Sequence, residues 1–293
     1  MTVLIMPRFS CLLLAAGLGF LPPNTARSQE DPHEDSFAAS GFDTEHIFGF
    51  AEGSDIGPRG EREIESTNIA SFGARGGYFN ADTETALRYV ITDELRLSAG
   101  ALTDYFQIPD MQGFNNRNTI TLSGATTEAR WNLSNWRTAP FGMTLSINPD
   151  WRRNDPVFGR SSQNFAAGLG LLIDKEVIPG KFFAVLNLIY EPSFAWPGGH
   201  LDREQSFTII AAGSYAFSQN ILAGAEIRHE NQVQDGNLGA HALYFGPNIF
   251  VRLTEDFTAK LAWAAQIPDA AAHHLDIANY QRHQVDLLLS YNF

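Results

Sequence analysis

The residues of this 293-residue chain whose types and spacing could do chemistry are mostly charged and regularly placed: Arg88, Arg96, Asp104, Glu128, Arg130, Asp174, Glu226, Arg228, Glu230, Arg252, Lys260, Arg282 and Asp286. Charges of both signs recur two residues apart, as in Glu128 and Arg130, or Glu226, Arg228 and Glu230. In an extended chain that spacing puts them on one face. Such a face can line a wet passage and sort solutes by field and width. It can equally pair internally, as a ladder of salt bridges that fills the space. Residue types and spacing leave both uses open.

The eight histidines raise metal and catalytic chemistry. His273 and His274 with Asp276 come nearest to a ligand cluster, but neighbouring positions in a connection between strands read as a solvated tip, and no metal site is assigned. His200 and His241 fall in other long connections. A hydrolase needs a serine, a histidine and a polar orienter within reach of one another. His229 follows Arg228 and precedes Glu230, and His283 is left unplaced relative to Ser161 or Ser162. No serine and histidine spacing resembles a hydrolase motif, so the chain is expected not to be an enzyme, with no catalytic residue and no cofactor. No Gly-rich phosphate loop opens a helix, which leaves nucleotide chemistry without support. The acidic run Asp55, Glu61, Glu63 and Glu65 is a candidate for divalent cations shared with lipopolysaccharide phosphates. Arg59 and Arg62, interleaved with it, favour a merely hydrated run.

The elements that position these charges are alternating strands. Val285, Leu287, Leu289, Tyr291 and Phe293 share one face of the last stretch, while Gln284, Asp286, Ser290 and Asn292 share the other, with Leu288 the exception. Phe165, Ala167, Leu169, Leu171 and Ile173 repeat the pattern, as do Phe207, Ile209, Ala211, Tyr215 and Phe217, and Leu243, Phe245, Ile249, Val251 and Leu253. Short turns are expected at Thr92 to Glu94, Asn135 to Pro140, Lys175 to Lys181, Ser218 to Asn220 and Thr254 to Asp256. Long connections alternate with them, at Gln107 to Arg117, Pro149 to Ser161, Pro192 to Asp202, Gln232 to Ala240 and Pro268 to Gln281. Short turns at one end and long loops at the other fit a membrane barrel better than a Greek-key sandwich. The fold class read here is all-β: a transmembrane antiparallel up-and-down β-barrel of about twelve strands, each of roughly 9 to 11 residues. Its first strand is placed at His46 to Gly53, followed by a long external loop over residues 54–77.

Composition sets the compartment. Arg8 before the apolar run Cys11 to Leu21, and Ala26-Arg27-Ser28 after it, read as a cleaved signal peptide over residues 1–28. Its removal takes the formal net charge from −13 to −15 by subtracting Arg8 and Arg27. An acidic chain argues against nucleic-acid partners. The one cysteine, Cys11, lies inside the signal, so neither disulfides nor a thiolate site follow. Residues 29–44 read as a polar periplasmic leader and residues 45–293 as the barrel.

The final strand, Val285, Leu287, Leu289, Tyr291 and Phe293, resembles the C-terminal signal strand of Gram-negative outer-membrane proteins. That resemblance implies an outer-membrane location and recognition by the outer-membrane assembly machinery through this strand. The stretch EHIFGFAEGSDIG resembles the opening of a family of uncharacterised proteobacterial outer-membrane proteins, and the overall plan is similar to MetA-type barrels linked to aromatic-compound degradation. The expected partners are outer-membrane lipid, lipopolysaccharide and small solutes. The expected function is passage of small solutes through a charged lumen. A non-conducting barrel that presents its loops, and an outer-membrane hydrolase, are the alternatives.

Overall fold

The computed structural model describes residues 42–74, 77–109, 116–155, 159–234, 237–268 and 274–293. The stretch read as a signal peptide, and nearly all of the stretch read as a leader, lie outside the described residues. Twelve antiparallel strands form one closed barrel. In chain order they are β1 (Arg62–Phe72), β2 (Phe79–Thr92), β3 (Leu95–Ile108), β4 (Arg117–Ser134), β5 (Gly142–Asn154), β6 (Ser161–Ile178), β7 (Phe182–Trp196), β8 (Asp202–Ala216), β9 (Ile221–Gln234), β10 (Asn237–Arg252), β11 (Phe257–Ile267) and β12 (His283–Asn292). Each strand pairs with its sequence neighbours, and β1 closes on β12 with Glu63 opposite Asn292 and Phe72 opposite His283. Closure leaves no row of unpaired amides, the condition for strands to sit in lipid.

Strand chemistry explains the facing. Outward positions carry Leu87, Leu145, Ile147, Leu169, Phe245, Ile249 and Leu261, all exposed, as a hydrocarbon environment allows. Aromatic residues gather at the two rims. Tyr215 meets Phe217 and Tyr291 stacks on Phe293 at the short-turn end, while Phe165 meets Trp196 and Trp263 stacks on His283 at the long-loop end. These are the girdles of an interface between membrane and water.

Three sequence expectations are corrected. Residues 46–53 form no strand; the first strand is β1, inside the stretch read as an external loop. The reason lies in the burial of consecutive residues: Thr44 to Gly49 are all buried, so this stretch has no face to offer lipid. The strands are also longer than expected, up to 18 residues in β4 and β6. β5, β7, β9 and β10 run on into the connections assigned after Pro149, Pro192 and Gln232, as paired ribbons beyond the expected membrane band. The alternation of short turns and long loops is otherwise as the spacing predicts. With residues 46–53 reassigned, the barrel begins at Arg62, and 42–61 is a separate inner segment.

Leu261 lies outward at the middle of β11, whereas Gly168 on β6 faces the interior with room for a side chain: an added Cβ meets nothing nearer than 3.8 Å. An arginine on the lipid face near the midplane costs about 2–4 kcal/mol. Leu261→Arg is expected to abolish the compact, heat-modifiable band of the refolded barrel on a gel, and Gly168→Arg to keep it. Equal loss in both variants would mean that the facing is wrong.

Candidate functional site

The interior is occupied by the chain's own N-terminal segment. Residues 42–56 enter at the short-turn end, reach mid-barrel at Gly49 to Glu52 and return. The Gly53 amide donates to the Glu45 carbonyl at 3.2 Å, and the Thr44 amide to Asp55 at 2.8 Å, which ties the two limbs together. Glycines serve close approaches here: a Cβ on Gly53 would stand 2.2 Å from the Thr44 carbonyl oxygen, and one on Gly49 would stand 2.4 Å from Glu226 Oε2.

A buried carboxylate anchors the rising limb. Glu45, 2% exposed, accepts from Arg88 on β2 at 2.8 Å, from Arg96 on β3 at 2.6 Å, and from Arg130 on β4 at 2.8 Å. Glu128 accepts from Arg130 at 2.8 Å, and Glu65 from Arg88 at 2.5 Å. His46 Nε2 stands 3.1 Å from Glu63 and 3.5 Å from Glu65, completing a network of both signs. Glu45, His46 and Glu63 lie close enough together to hold a metal ion. The three guanidiniums already satisfy Glu45, however, so the donor set reads as an ion-pair cluster.

The rest of the segment is held at its backbone and at the side chains of Asp55, Phe50 and Phe42. Glu226 accepts from the Phe50 amide at 2.7 Å, Asn187 exchanges two 2.8 Å bonds with the Glu52 backbone, and Asp174 accepts from the Ser54 amide at 2.8 Å. Ser214 donates to the Ile47 carbonyl at 2.6 Å and Lys260 to the Gly49 carbonyl at 2.7 Å. Arg137 and Trp136 bind Asp55 at 2.7 and 3.1 Å. Arg228 lies over the Phe50 ring at 4.0 Å, Phe50 packs against the buried cluster of Ala240, Ala242, Tyr244, Ala264 and Tyr280, and Arg252 lies over Phe42 at 5.7 Å. Thr144 donates to the Ser54 carbonyl at 2.5 Å. Every strand from β1 to β11 therefore touches the segment. Phe42, Ile47, Phe48 and Ala51 pack with Phe183, Val185, Ile210, Leu222 and Phe250, all buried. Burial is worth about 1.5–3 kcal/mol for each of the three large side chains.

Above the segment, toward the long-loop end, lies a cavity of about 140 Å³ whose lining includes Phe50, Glu52, Glu84, Arg130, Arg152 and Asp286. Arg152 bonds Asp82 at 2.9 Å and Asp104 at 2.8 Å on its wall. At the far rim, Tyr280, 1% exposed, and Gln281 fold in from the last connection, where Gln281 accepts from the Tyr244 hydroxyl at 2.7 Å.

Of the charges singled out from the sequence, Arg88, Arg96, Arg130 and Glu128 meet around Glu45. Asp174, Glu226, Arg228, Arg252 and Lys260 hold other parts of the segment. Glu230 pairs with Arg228 at 2.8 Å, Asp286 with Lys260 at 2.9 Å, and Asp104 with Arg152. Arg282 is exposed, outside the interior, because the last connection ends there. Asp55, Glu63 and Glu65 are buried inside the barrel, which removes the proposed loop site for cations shared with lipopolysaccharide. Ser161 and Ser162 start β6, and His283 starts β12, half the circumference away, so they form no catalytic pair. His273 lies outside the described residues; His274 and His200 are exposed, and His229 meets His241 ring to ring at 6.1 Å. Val285, Leu287 and Leu289 face outward, partly exposed, while Tyr291 and Phe293 are exposed at the rim.

Sequence reasoning missed Glu45, Glu52, Glu63, Glu65, Asp82 and Arg152 as interior groups. A signal for the inner segment was present in Phe183, Val185, Ile210, Leu222 and Phe250: apolar residues on the nominally polar face, near the short-turn end of their strands. An interior that water fills has no use for them.

Removing one partner of a buried ion cluster costs about 3–5 kcal/mol. In Glu45→Ala, a thiol placed at buried Ile47 is expected to react readily with maleimide, whereas the same thiol in the otherwise native chain stays protected. Equal protection would show that the arginine cluster does not hold the segment. A second expectation concerns pH. Burial, then Asp43, Glu63 and Glu45, raise the Glu61 carboxyl from its ordinary 4.5 to about 8. A raised acid binds its proton more tightly when the segment is docked, so the docked state loses stability as pH rises from 4.5 through about 8. Hydrogen-exchange protection of the Phe50, Glu52 and Ser54 amides, corrected for intrinsic rate, is expected to fall over that interval and to fall less in Glu61→Gln, where Asp43, raised to about 6, and His46, raised to about 9, still titrate.

None of the curated proteins matches this chain. Among solved structures it is similar to the COG4313 outer membrane channel from Pseudomonas putida F1, at 13% identity and a TM-score of 0.59, over 82% of this chain and 98% of that one. It is also similar to the beta domain of the Bordetella autotransporter BrkA, at 9% identity and a TM-score of 0.51, over 80% of this chain and 100% of that one. The likeness is one of fold, that of an outer-membrane β-barrel. A family model described as "Family of unknown function (DUF6662)" matches residues 40–293, from the inner segment to the last strand, and the chain belongs to that family.

Proposed function

We propose that this protein admits small solutes across the outer membrane of a Gram-negative bacterium, through a charged interior that residues 42–56 obstruct at the short-turn end. That end faces the periplasm in barrels of this kind. The observation that carries the reading is the nature of the obstruction. It is a looped coil whose amides, carbonyls and side chains bond to side chains of the barrel, not a strand of the sheet, so it can leave without breaking the barrel's own ladder. Above it the cavity is walled by charged and polar groups, which water and polar solutes wet. The outward apolar surface meets lipid and lipopolysaccharide acyl chains, and the last strand engages the assembly machinery. The reading involves no bond-breaking step.

A second reading, a non-conducting barrel that displays its loops, is favoured by the contacts of the inner segment with every strand from β1 to β11. Single-channel recording of the refolded full chain in a planar bilayer separates the two. Small or brief current steps are expected from the native chain, and larger, longer-lived steps from Glu45→Ala. A heat-modifiable barrel that passes no current in either form would overturn the passage reading and leave the second one.

A further inference from the structure

We propose that the cavity above the inner segment is a binding site for a small organic ammonium ion, so that the solute class admitted is cationic. The inference rests on the passage reading only for the route by which the solute arrives; the site itself is argued from its walls.

The cations of the cavity wall are already engaged. Arg88 is bonded to Glu45 and Glu65, Arg130 to Glu45 and Glu128, Arg152 to Asp82 and Asp104, and Lys260 to Asp286. An arriving anion therefore meets positive charges on this wall that are already paired, with the Arg88 Nε–H as a donor still without an acceptor. Carboxylates remain in excess. Glu84, half-buried on the wall, makes no hydrogen bond or ion pair with any described residue. Asp286 is 2% exposed and gives only one oxygen to Lys260; its Oδ1 accepts no hydrogen bond. Acceptors without donors in a low-dielectric interior carry a desolvation cost, which a ligand N–H group relieves.

The remaining wall decides between kinds of cation. Leu102, Leu172, Ile189 and Leu288 face the same space. Leu288 is the apolar residue that breaks the polar face of β12, and here it has a use. A hydrated divalent ion gains nothing from such groups and holds its water shell tightly. An alkylammonium presents hydrocarbon to the leucines and N–H donors to Glu84 and Asp286, the mix of apolar surface and few placed polar groups typical of small-ligand sites.

The test is titration calorimetry on the detergent-solubilised full chain, with butylammonium, butyrate and Mg²⁺ as probes, which needs no conduction. Saturable heat is expected with butylammonium and none with butyrate. Glu84→Gln is expected to weaken butylammonium binding about tenfold or more, the scale of one charge-assisted hydrogen bond, while Glu255→Gln, in a short turn, leaves it unchanged. Heat-modifiable migration of both variants shows that the barrel is intact. Equal binding of butyrate, unchanged affinity in Glu84→Gln, or displacement of butylammonium by Mg²⁺ at equal concentration would each overturn the proposal. Current steps without any amine binding would sink this site and leave the passage reading standing.

Discussion

The carboxylate of Glu45 is the point on which the interior turns. It lies inside a closed sheet and is bound at once by guanidiniums from three consecutive strands, β2, β3 and β4. Each of those arginines sits on a strand face that cannot point to lipid and, without a counter-charge, cannot rest comfortably inside either. The sheet therefore supplies charges that need the segment, and the segment supplies a charge that needs the sheet. The apolar contacts of Phe42, Ile47 and Phe48 add most of the attraction, but they are permissive about geometry. The ion cluster is directional and sets where the loop sits.

This division of labour gives the barrel two unlike halves. Toward the short turns the interior resembles a protein core, with packed aromatic and aliphatic side chains around a satisfied ionic centre. Toward the long loops it is roomier and more acidic, walled by Arg152 with its aspartates on one side and by Lys260 with Asp286 on another. Polar networks of this kind hold a shape only when their members are satisfied. The Glu45 carboxylate meets that condition, and Asp286 on the cavity wall does not.

Much of the barrel was legible in the sequence because its two governing patterns are local. Alternation along Phe165 to Ile173 or Val285 to Phe293 reports facing directly, and the turns at Thr92 to Glu94 or Thr254 to Asp256 report where strands reverse. Parity placed Glu128, Arg130, Glu226 and Arg228 inside, but it also placed Arg282 there, which is exposed. The inner segment did not follow, because its partners are distant in the chain: Glu45 meets Arg130 and Ser54 meets Asp174, pairings that no periodicity encodes. Its own residues misled, since His46 to Gly53 has the length and aromatic content of a strand. Once that stretch was taken as a strand, Glu63 and Glu65 fell into a loop by default. Arg152 was lost for a related reason, since Pro149 looks like the end of a strand that continues to Asn154.

The inner loop and the barrel wall are one continuous chain, joined by the few residues between Ile56 and Arg62. Such a leash keeps a departed loop at an effective concentration of the order of millimolar beside its own seat. Leaving and returning are then both first-order events, indifferent to how many copies of the protein the membrane holds. Residence time on the seat is set by internal contacts alone, so each molecule acts as a clock of its own.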